Sequence, residues 1–264
     1  MENLNNNNEF ALITGASSGI GYELAKIFAK NGINVILIAR RRDNLEQLAL
    51  LLNNEFKVKT HVMALDITEP ETRFEIYKFV KVKQIFIKYL VNNAGSGLWG
   101  LFHKSDWETE SKMISLNITA LTHLSKLFVK EMVLKGTGKI LNVCSIAGFY
   151  PEPFMAIYGA TKSYVLSFSQ ALESELKGTG VKVTTLCPGP TQSGFHKVAN
   201  GEDIKMAKKI KMASSESIAQ AGYKVMMKGK SVFIPGRLIK TVIFFGRFVP
   251  RKFVTWLIKK FLSK

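Results

Sequence analysis

Tyr158 and Lys162 stand four residues apart in the stretch Tyr158-Gly159-Ala160-Thr161-Lys162, a spacing that puts both side chains on one face of a helix. An ammonium beside a phenol favours the phenolate, so the pair is expected to bring the Tyr pKa down from about 10 toward the working range. A Tyr tuned in this way passes a proton to or from a carbonyl or alcohol oxygen. The spacing alone also describes an ordinary amphipathic helix surface. Ser145 directly follows the strand-like run Ile140-Leu141-Asn142-Val143-Cys144. Ligands of open α/β sheets bind beyond the strand carboxyl ends, so its hydroxyl can polarise the same oxygen, or it can serve as a cap or turn residue.

A second group of residues suits a phosphate. Thr14-Gly15-Ala16-Ser17-Ser18-Gly19-Ile20-Gly21 joins an apolar run to a helix-period segment. Backbone N–H groups of such a turn, and the positive end of the helix, attract an anion that a Cβ would hold away. The spacing departs from the familiar Gly-x-Gly-x-x-Gly, and a glycine-rich turn alone can be no more than a tight turn. The next apolar run, Val35 to Ala39, ends in Arg40-Arg41-Arg42, where an acidic residue would bind the ribose hydroxyls of NAD. Arg40 instead suits a 2′-phosphate and can stack on adenine, which predicts NADP(H) over NAD(H), whereas Arg41 and Arg42 read as solvated charge. Asp66 can accept from the adenine amino group or be a turn or N-cap carboxylate.

The elements that must hold these residues alternate along the chain. Apolar runs near 10–14, 33–39, 57–64, 85–92, 138–144, 181–186 and 231–235 read as strands, and 19–31, 43–54, 69–80, 105–134, 156–177 and 215–228 as helices. That order predicts an α/β fold, a Rossmann-type doubly wound parallel sheet of about seven strands flanked by helices, with a C-terminal helical tail. The expected organisation is an Asn-rich leader over 1–9, one catalytic and dinucleotide-binding domain over 10–235, and a basic extension over 236–264. Within the domain, 189–214 lacks a period and reads as a loop or lid over the substrate.

Composition narrows the function. The 264 residues, 47% of them hydrophobic, can bury one sizeable core, which excludes disorder as the main state. The formal charge is +17, and residues 196–264 carry most of the excess, with 16 Lys or Arg against 3 Asp or Glu. Such a charge suits nucleic acid, an anionic membrane or an anionic ligand. No secretory leader, spanning segment, disulfide framework or metal cluster is evident. A cytoplasmic protein is expected, without metal and without nucleic acid, since no recognised nucleic-acid module is present.

Taken together, Thr14 to Gly21, Asn92-Asn93-Ala94-Gly95, Asn117, Ser145, Tyr158 with Lys162, and Pro188-Gly189 resemble the short-chain dehydrogenase/reductase family in order and spacing from about residue 10 to 235. The resemblance implies a mechanism. Ser145 would hold the substrate oxygen, Tyr158 transfer the proton, and Lys162 lower the Tyr pKa and bond the nicotinamide ribose. Asn117 would hold a water in the proton path to Lys162. It also implies cofactor contacts at Gly15, Ser17, Ser18, Gly19, Ile20 and Gly21, at Arg40 and Asp66, along Asn93, Ala94 and Gly95, at Tyr158 and Lys162, and along Pro188, Gly189, Thr191 and Ser193, the last two holding the carboxamide. Homodimers or homotetramers through the long fourth and fifth helices are expected on the same ground. Three departures stand out: Lys88 where the family commonly has Asp, Ser18 where many NADP-dependent members have a basic residue, and Ser193 where Thr is frequent. Lys88 is expected to alter the electrostatics of the adenine side.

The expected function is therefore NADP(H)-dependent interconversion of a carbonyl and an alcohol. The alternative is a non-catalytic NADP(H)-binding regulator on the same fold. Leu98, Trp99 and Leu101, then Phe149, Pro151, Phe154 and Met155, and Phe195 in the lid predict a lipophilic substrate, unless they are core beneath a small polar site. In the extension, Phe253, Leu257 and Phe261 recur beside Val254, Ile258 and Leu262, with Lys252, Thr255, Lys259 and Ser263 opposite. This is a basic amphipathic helix, suited to an anionic membrane surface or to covering the pocket or a subunit contact.

Overall fold

The computed structural model describes residues 8–193 and 212–263. The leader before residue 8, most of the expected lid and Phe195 within it lie outside the described residues. Strands β1 (Glu9–Thr14), β2 (Asn34–Ala39), β3 (Thr60–Ala64), β4 (Phe86–Asn92), β5 (Gly138–Val143), β6 (Val181–Leu186) and β9 (Val232–Phe233) form one sheet in the order β3-β2-β1-β4-β5-β6-β9. Every pairing is parallel. A short parallel pair, β7 (Thr191–Gln192) and β8 (Ala213–Ser214), lies apart from it. Strands covered on both faces need no polar side, so Leu12, Ile36, Leu37 and Leu90 are all buried.

Helices cover the two faces. On one, α1 (Gly19–Lys30), α2 (Arg42–Phe56) and α7 (Ser215–Met227) enclose Ala11, Ile13, Leu24, Phe28, Leu37 and Met226. On the other, α3 (Pro70–Val82), α5 (Leu121–Leu134) and α6 (Ala156–Glu175) pack over Leu12, Ile38, Leu90, Phe128 and Ile140. The sequence switches at β1 to β4, where the chain crosses from one half of the sheet to the other, and this opens a crevice at the strand carboxyl ends.

Four elements differ from the sequence expectation. The helix expected over 105–134 is divided: α4 (Trp107–Ile114), started by Asp106 accepting from the Thr109 amide at 2.9 Å, runs into a π-turn over Ser115–Ala120 before α5. The third strand begins at Thr60, because Lys57 ends α2 in a left-handed conformation (φ 56°) and two further residues bring the chain to the sheet. The last strand is only two residues long, since Pro235 and Gly236 (φ 92°) turn the chain away from the sheet edge. The extension forms two helices, α8 (Arg237–Gly246) and α9 (Arg251–Leu262), separated by Pro250.

Candidate active site

The crevice brings together four of the residues singled out above. Ser145 leaves the end of β5 and caps a short 3₁₀ turn, its Oγ accepting from the Ala147 amide at 3.1 Å. The same hydroxyl is hydrogen-bonded to Tyr158, whose ring is buried on the first turn of α6 among Met113, Ala147 and Met155. One turn further, the buried Lys162 Nζ lies 5.7 Å from the Tyr158 ring centroid and donates to the Val143 carbonyl at 3.0 Å. Asn117 sits in the π-turn, a distortion that re-aims side chains at functional sites. Its Oδ1 accepts from the Ser96 amide at 3.0 Å, while its Nδ2 donates to the Ser96 carbonyl at 2.9 Å and to Thr161 Oγ1 at 3.0 Å. The side-chain amide thus clamps the loop after β4 to the residue beside Lys162. A Cβ built on Gly95 would lie 3.3 Å from Asn117 Oδ1 and 3.4 Å from Lys162 Nζ, which places both heads at the edge of the Asn93–Gly95 segment.

That segment in turn supports the glycine turn. Thr14 Oγ1 accepts from the Asn93 and Ala94 amides at 3.0 Å each, and Asn93 Nδ2 donates to the Thr14 carbonyl at 2.9 Å. Gly15 takes a φ of 68°, and a Cβ on Gly21 would collide with the Gly15 carbonyl and the Asn93 side chain. The result is a turn whose backbone is held open at the start of α1. Ser18 makes no side-chain cap there and the first turn of α1 carries no acidic residue, so its amides remain suited to an anion. Across the turn, Ser193 lies against Gly19, with a Cβ at Gly19 only 3.0 Å from Ser193 Cβ. Thr191, in β7, donates from Oγ1 to the Gly189 carbonyl at 2.8 Å. The residues present fit a dinucleotide lying from the glycine turn to Lys162.

The family model described as short chain dehydrogenase matches residues 9–203. The chain is a short-chain dehydrogenase. Among its curated relatives, the bovine very-long-chain 3-oxoacyl-CoA reductase is 36% identical over 186 residues, 68% of this chain. The chain spans 58% of the length of that bovine protein. Sulfoacetaldehyde reductase 2 of Chromohalobacter salexigens is 34% identical over 200 residues, 74% of this chain and 77% of that protein. Among solved structures, a short-chain dehydrogenase from Sphingobium yanoikuyae in complex with NADPH superposes with a TM-score of 0.82 at 30% identity, covering 97% of this chain and 98% of that one. The bulky-bulky ketone specific alcohol dehydrogenase from Comamonas testosteroni superposes at 0.78 with 31% identity, over 91% and 92% of the two chains. The protein is thus an oxidoreductase of this family, with its seven-stranded sheet.

Electrostatics in the dehydrogenase differ from the expectation for the Tyr–Lys pair. Burial pushes the Tyr158 hydroxyl well above its ordinary range; the Ser145 hydrogen bond opposes this, and the Glu152 carboxyl adds to it. Burial also draws Lys162 below the usual Lys range. The reason is that both groups are desolvated while the ammonium is spent on the Val143 carbonyl. Lys88, expected to act on the adenine side, instead pairs with Glu9 at 2.9 Å at the amino-terminal end of β1, in the middle of the sheet and at the opposite end of the strands from the crevice. Asp66 accepts from the Thr68 amide and hydroxyl at 3.0 and 2.8 Å, as a turn carboxylate does, with Arg40 3.8 Å from its other oxygen.

Two residues near the dehydrogenase's crevice were not read from the sequence as site residues. Arg41, taken as solvated charge, reaches back across the glycine turn and donates to Ser17 Oγ at 3.1 Å and Ser18 Oγ at 2.7 Å, whereas Arg40 points largely into solvent. Glu152, between Pro151 and Pro153, is mostly buried, and its Oε2 has no hydrogen-bond partner among the described residues. Burial pushes its carboxyl up to about 7. A charged residue in an apolar stretch between Ser145 and Tyr158 was the signal for it. The wall above Tyr158 is apolar: Leu98, Trp99 and Ile157 pack on it, Trp99 stacks on Phe154 at 5.7 Å, and Phe154 holds a left-handed backbone (φ 68°) while accepting from the Gly100 amide. A pocket beside it is lined by Leu98, Met113, Phe154 and Ile157 and, on its polar side, by Ser105 and Glu110, with the Ser105 hydroxyl donating to the Glu110 carboxylate at 2.6 Å. Phe149, by contrast, packs in a separate cluster with Cys144 and Val165, and Leu101 is exposed.

Proposed function

We propose that this dehydrogenase is an NADP(H)-dependent carbonyl reductase, or the reverse alcohol dehydrogenase, acting on a lipophilic small molecule. The observation that carries the reading is the hydrogen-bonded Ser145–Tyr158 pair in the crevice, one helical turn from Lys162 and facing an apolar wall. When bound, the cofactor supplies the hydride that the carbonyl carbon receives. Ser145 orients the substrate oxygen with a hydrogen bond, and Tyr158 gives that oxygen its proton. Tyr158 is protonated at neutral pH, and burial raises its pKa further, so the chain alone is poised as an acid, the state that reduction requires. Lys162 and the loop gripped by Asn117 would hold the ribose side of the cofactor, and Lys162 would pass the proton that reprotonates Tyr158. Residues 10–235 form the catalytic body and 236–264 an extension of it. Pairing of subunits through α5 and α6 fits the outer surface where Thr122 and Tyr164 join these helices at 3.1 Å.

NADP(H) over NAD(H) rests on Arg40 and Arg41 together, with Arg41 supplying to the glycine turn the cation that Ser18 lacks. A guanidinium donating to a phosphate is a charge-assisted bond. Arg41→Ala is expected to weaken NADPH binding about tenfold to a hundredfold and to leave NADH nearly unchanged. Equal weakening of both cofactors in a fluorescence titration would refute the assignment. The function itself is tested by following NADPH oxidation over ketones and aldehydes of graded chain length, where kcat/KM should rise with apolar size. A panel inactive throughout would point to the non-catalytic regulator instead.

A further inference from the structure

The extension turns its apolar side outward. Among the described residues of α8 and α9, only Ile243 and Leu262 are buried. Leu238, Val242 and Phe245 succeed one another along one exposed side of α8 and lead to Phe248, which is 76% exposed. On α9, Phe253, Trp256, Leu257 and Phe261 repeat the pattern. The aromatics make contacts largely with one another: Phe244 with Phe245 at 5.4 Å and with Phe248 at 5.8 Å, and Phe253 with Trp256 at 5.6 Å. A contiguous exposed patch of this kind marks an interaction surface. The same stretch, 236–264, holds eight Lys or Arg and no Asp or Glu.

We propose that α8 and α9 form a docking surface for an anionic lipid bilayer, lying in the interface with the aromatic side inserted and the Lys and Arg side chains at the headgroups. Charge and apolarity together select this occupant. A second copy of the chain would set two wholly basic surfaces against each other across a two-fold axis. A nucleic acid would satisfy the charge but leave Leu238, Val242 and Leu257 in water. A bilayer with acidic headgroups accommodates both, and no helix of the described residues is long and apolar enough to cross it. The surface is also tied to the crevice. Tyr150, between Ser145 and Tyr158 in sequence, donates to the Ile243 carbonyl at 2.7 Å, and a Cβ on Gly189 would meet Ile239 at 3.0 Å. Docking therefore sets the mouth of the site against the lipid phase, where a lipophilic carbonyl compound accumulates; this clause rests on the proposed function, the docking does not.

The test uses the full chain with vesicles of phosphatidylcholine alone or mixed with phosphatidylserine, read by flotation and by quenching of Trp256 with brominated lipid. Binding to the acidic vesicles is expected to exceed that to neutral ones about tenfold or more and to fall in high salt. Phe248→Ser/Trp256→Ser and Lys259→Glu/Lys260→Glu should each lose about tenfold or more of it, while turnover of a water-soluble ketone stays that of the parent. The charge-reversed variant leaves the apolar contacts of α9 in place and so separates docking from folding. Equal binding to both vesicle types, no binding at low salt, a dimer formed through these helices, or retention on a polyanion without binding to vesicles would overturn the proposal. If docking holds and no carbonyl compound turns over, the proposed function fails and the docking surface stands.

Discussion

Tyr158→Phe is expected to lower kcat for carbonyl reduction by about 10²–10⁴-fold, the range set by loss of a positioned general acid. The substitution deletes one oxygen and leaves the ring, which is packed among Met113, Ala147, Met155, Leu98 and Ile157. Ser145 keeps the Ala147 amide as a partner, so the local turn survives and folding changes little. Cofactor affinity should move by less than about tenfold, because only one hydrogen bond is lost. Stopped-flow turnover alongside a cofactor fluorescence titration separates these effects; a Phe variant with more than a tenth of parental kcat would dismiss Tyr158 as the proton donor. The direction of the Tyr158 shift adds a second readout. Held protonated by burial, it serves reduction across neutral pH without adjustment, whereas alcohol oxidation needs the phenolate and should accelerate as pH rises. The sign follows from the proton that Tyr158 must lose to act as a base, and desolvation of the phenol moves the rise to higher pH.

Much of the site could be read before any coordinates because it depends on local geometry. The Tyr158–Lys162 spacing is a property of any helix, and Ser145 at the end of an apolar run follows from where parallel strands deliver their carboxyl termini. What escaped depends on side-chain direction and depth. The π-turn at Asn117 is set by tertiary fit of α4 and α5 around the Ser96 loop, and nothing in Ser115 to Ala120 has a distinct propensity for it. In Arg40-Arg41-Arg42 three identical side chains leave in different directions, and only the fold decides that the second meets Ser17 and Ser18. The effect expected of Lys162 on Tyr158 followed from their spacing alone, which carries no information on depth, and both are buried with the ammonium engaged by Val143. Periodicity likewise showed that the extension is amphipathic but could not say which side faces out.

Glu152→Gln should stabilise the protein in a strongly pH-dependent way. In the folded chain burial moves the carboxyl from the ordinary 4.5 to about 7, so it keeps its proton through the weakly acidic range; once unfolded it ionises near its ordinary value. Between those two values the unfolded state binds fewer protons than the folded one, and stability falls as pH rises. Above about pH 7 both states are ionised and the penalty is complete, up to about 3 kcal/mol for a shift of this size. Gln carries no proton to lose and fills nearly the same space. The variant should therefore match the parent near pH 4.5 and exceed it increasingly up to pH 7, with a constant difference beyond. Urea denaturation across that range measures it, and a difference independent of pH would show that Glu152 is not titrating inside the fold. Catalysis should respond with the same group. The ionised carboxylate disfavours a phenolate at Tyr158, so Gln should move the rise of alcohol oxidation to lower pH while leaving reduction at neutral pH nearly unaltered. A carboxyl with an unpartnered buried oxygen costs the fold stability, and its ionised form adds to the burial that raises the pH at which Tyr158 can also act as a base.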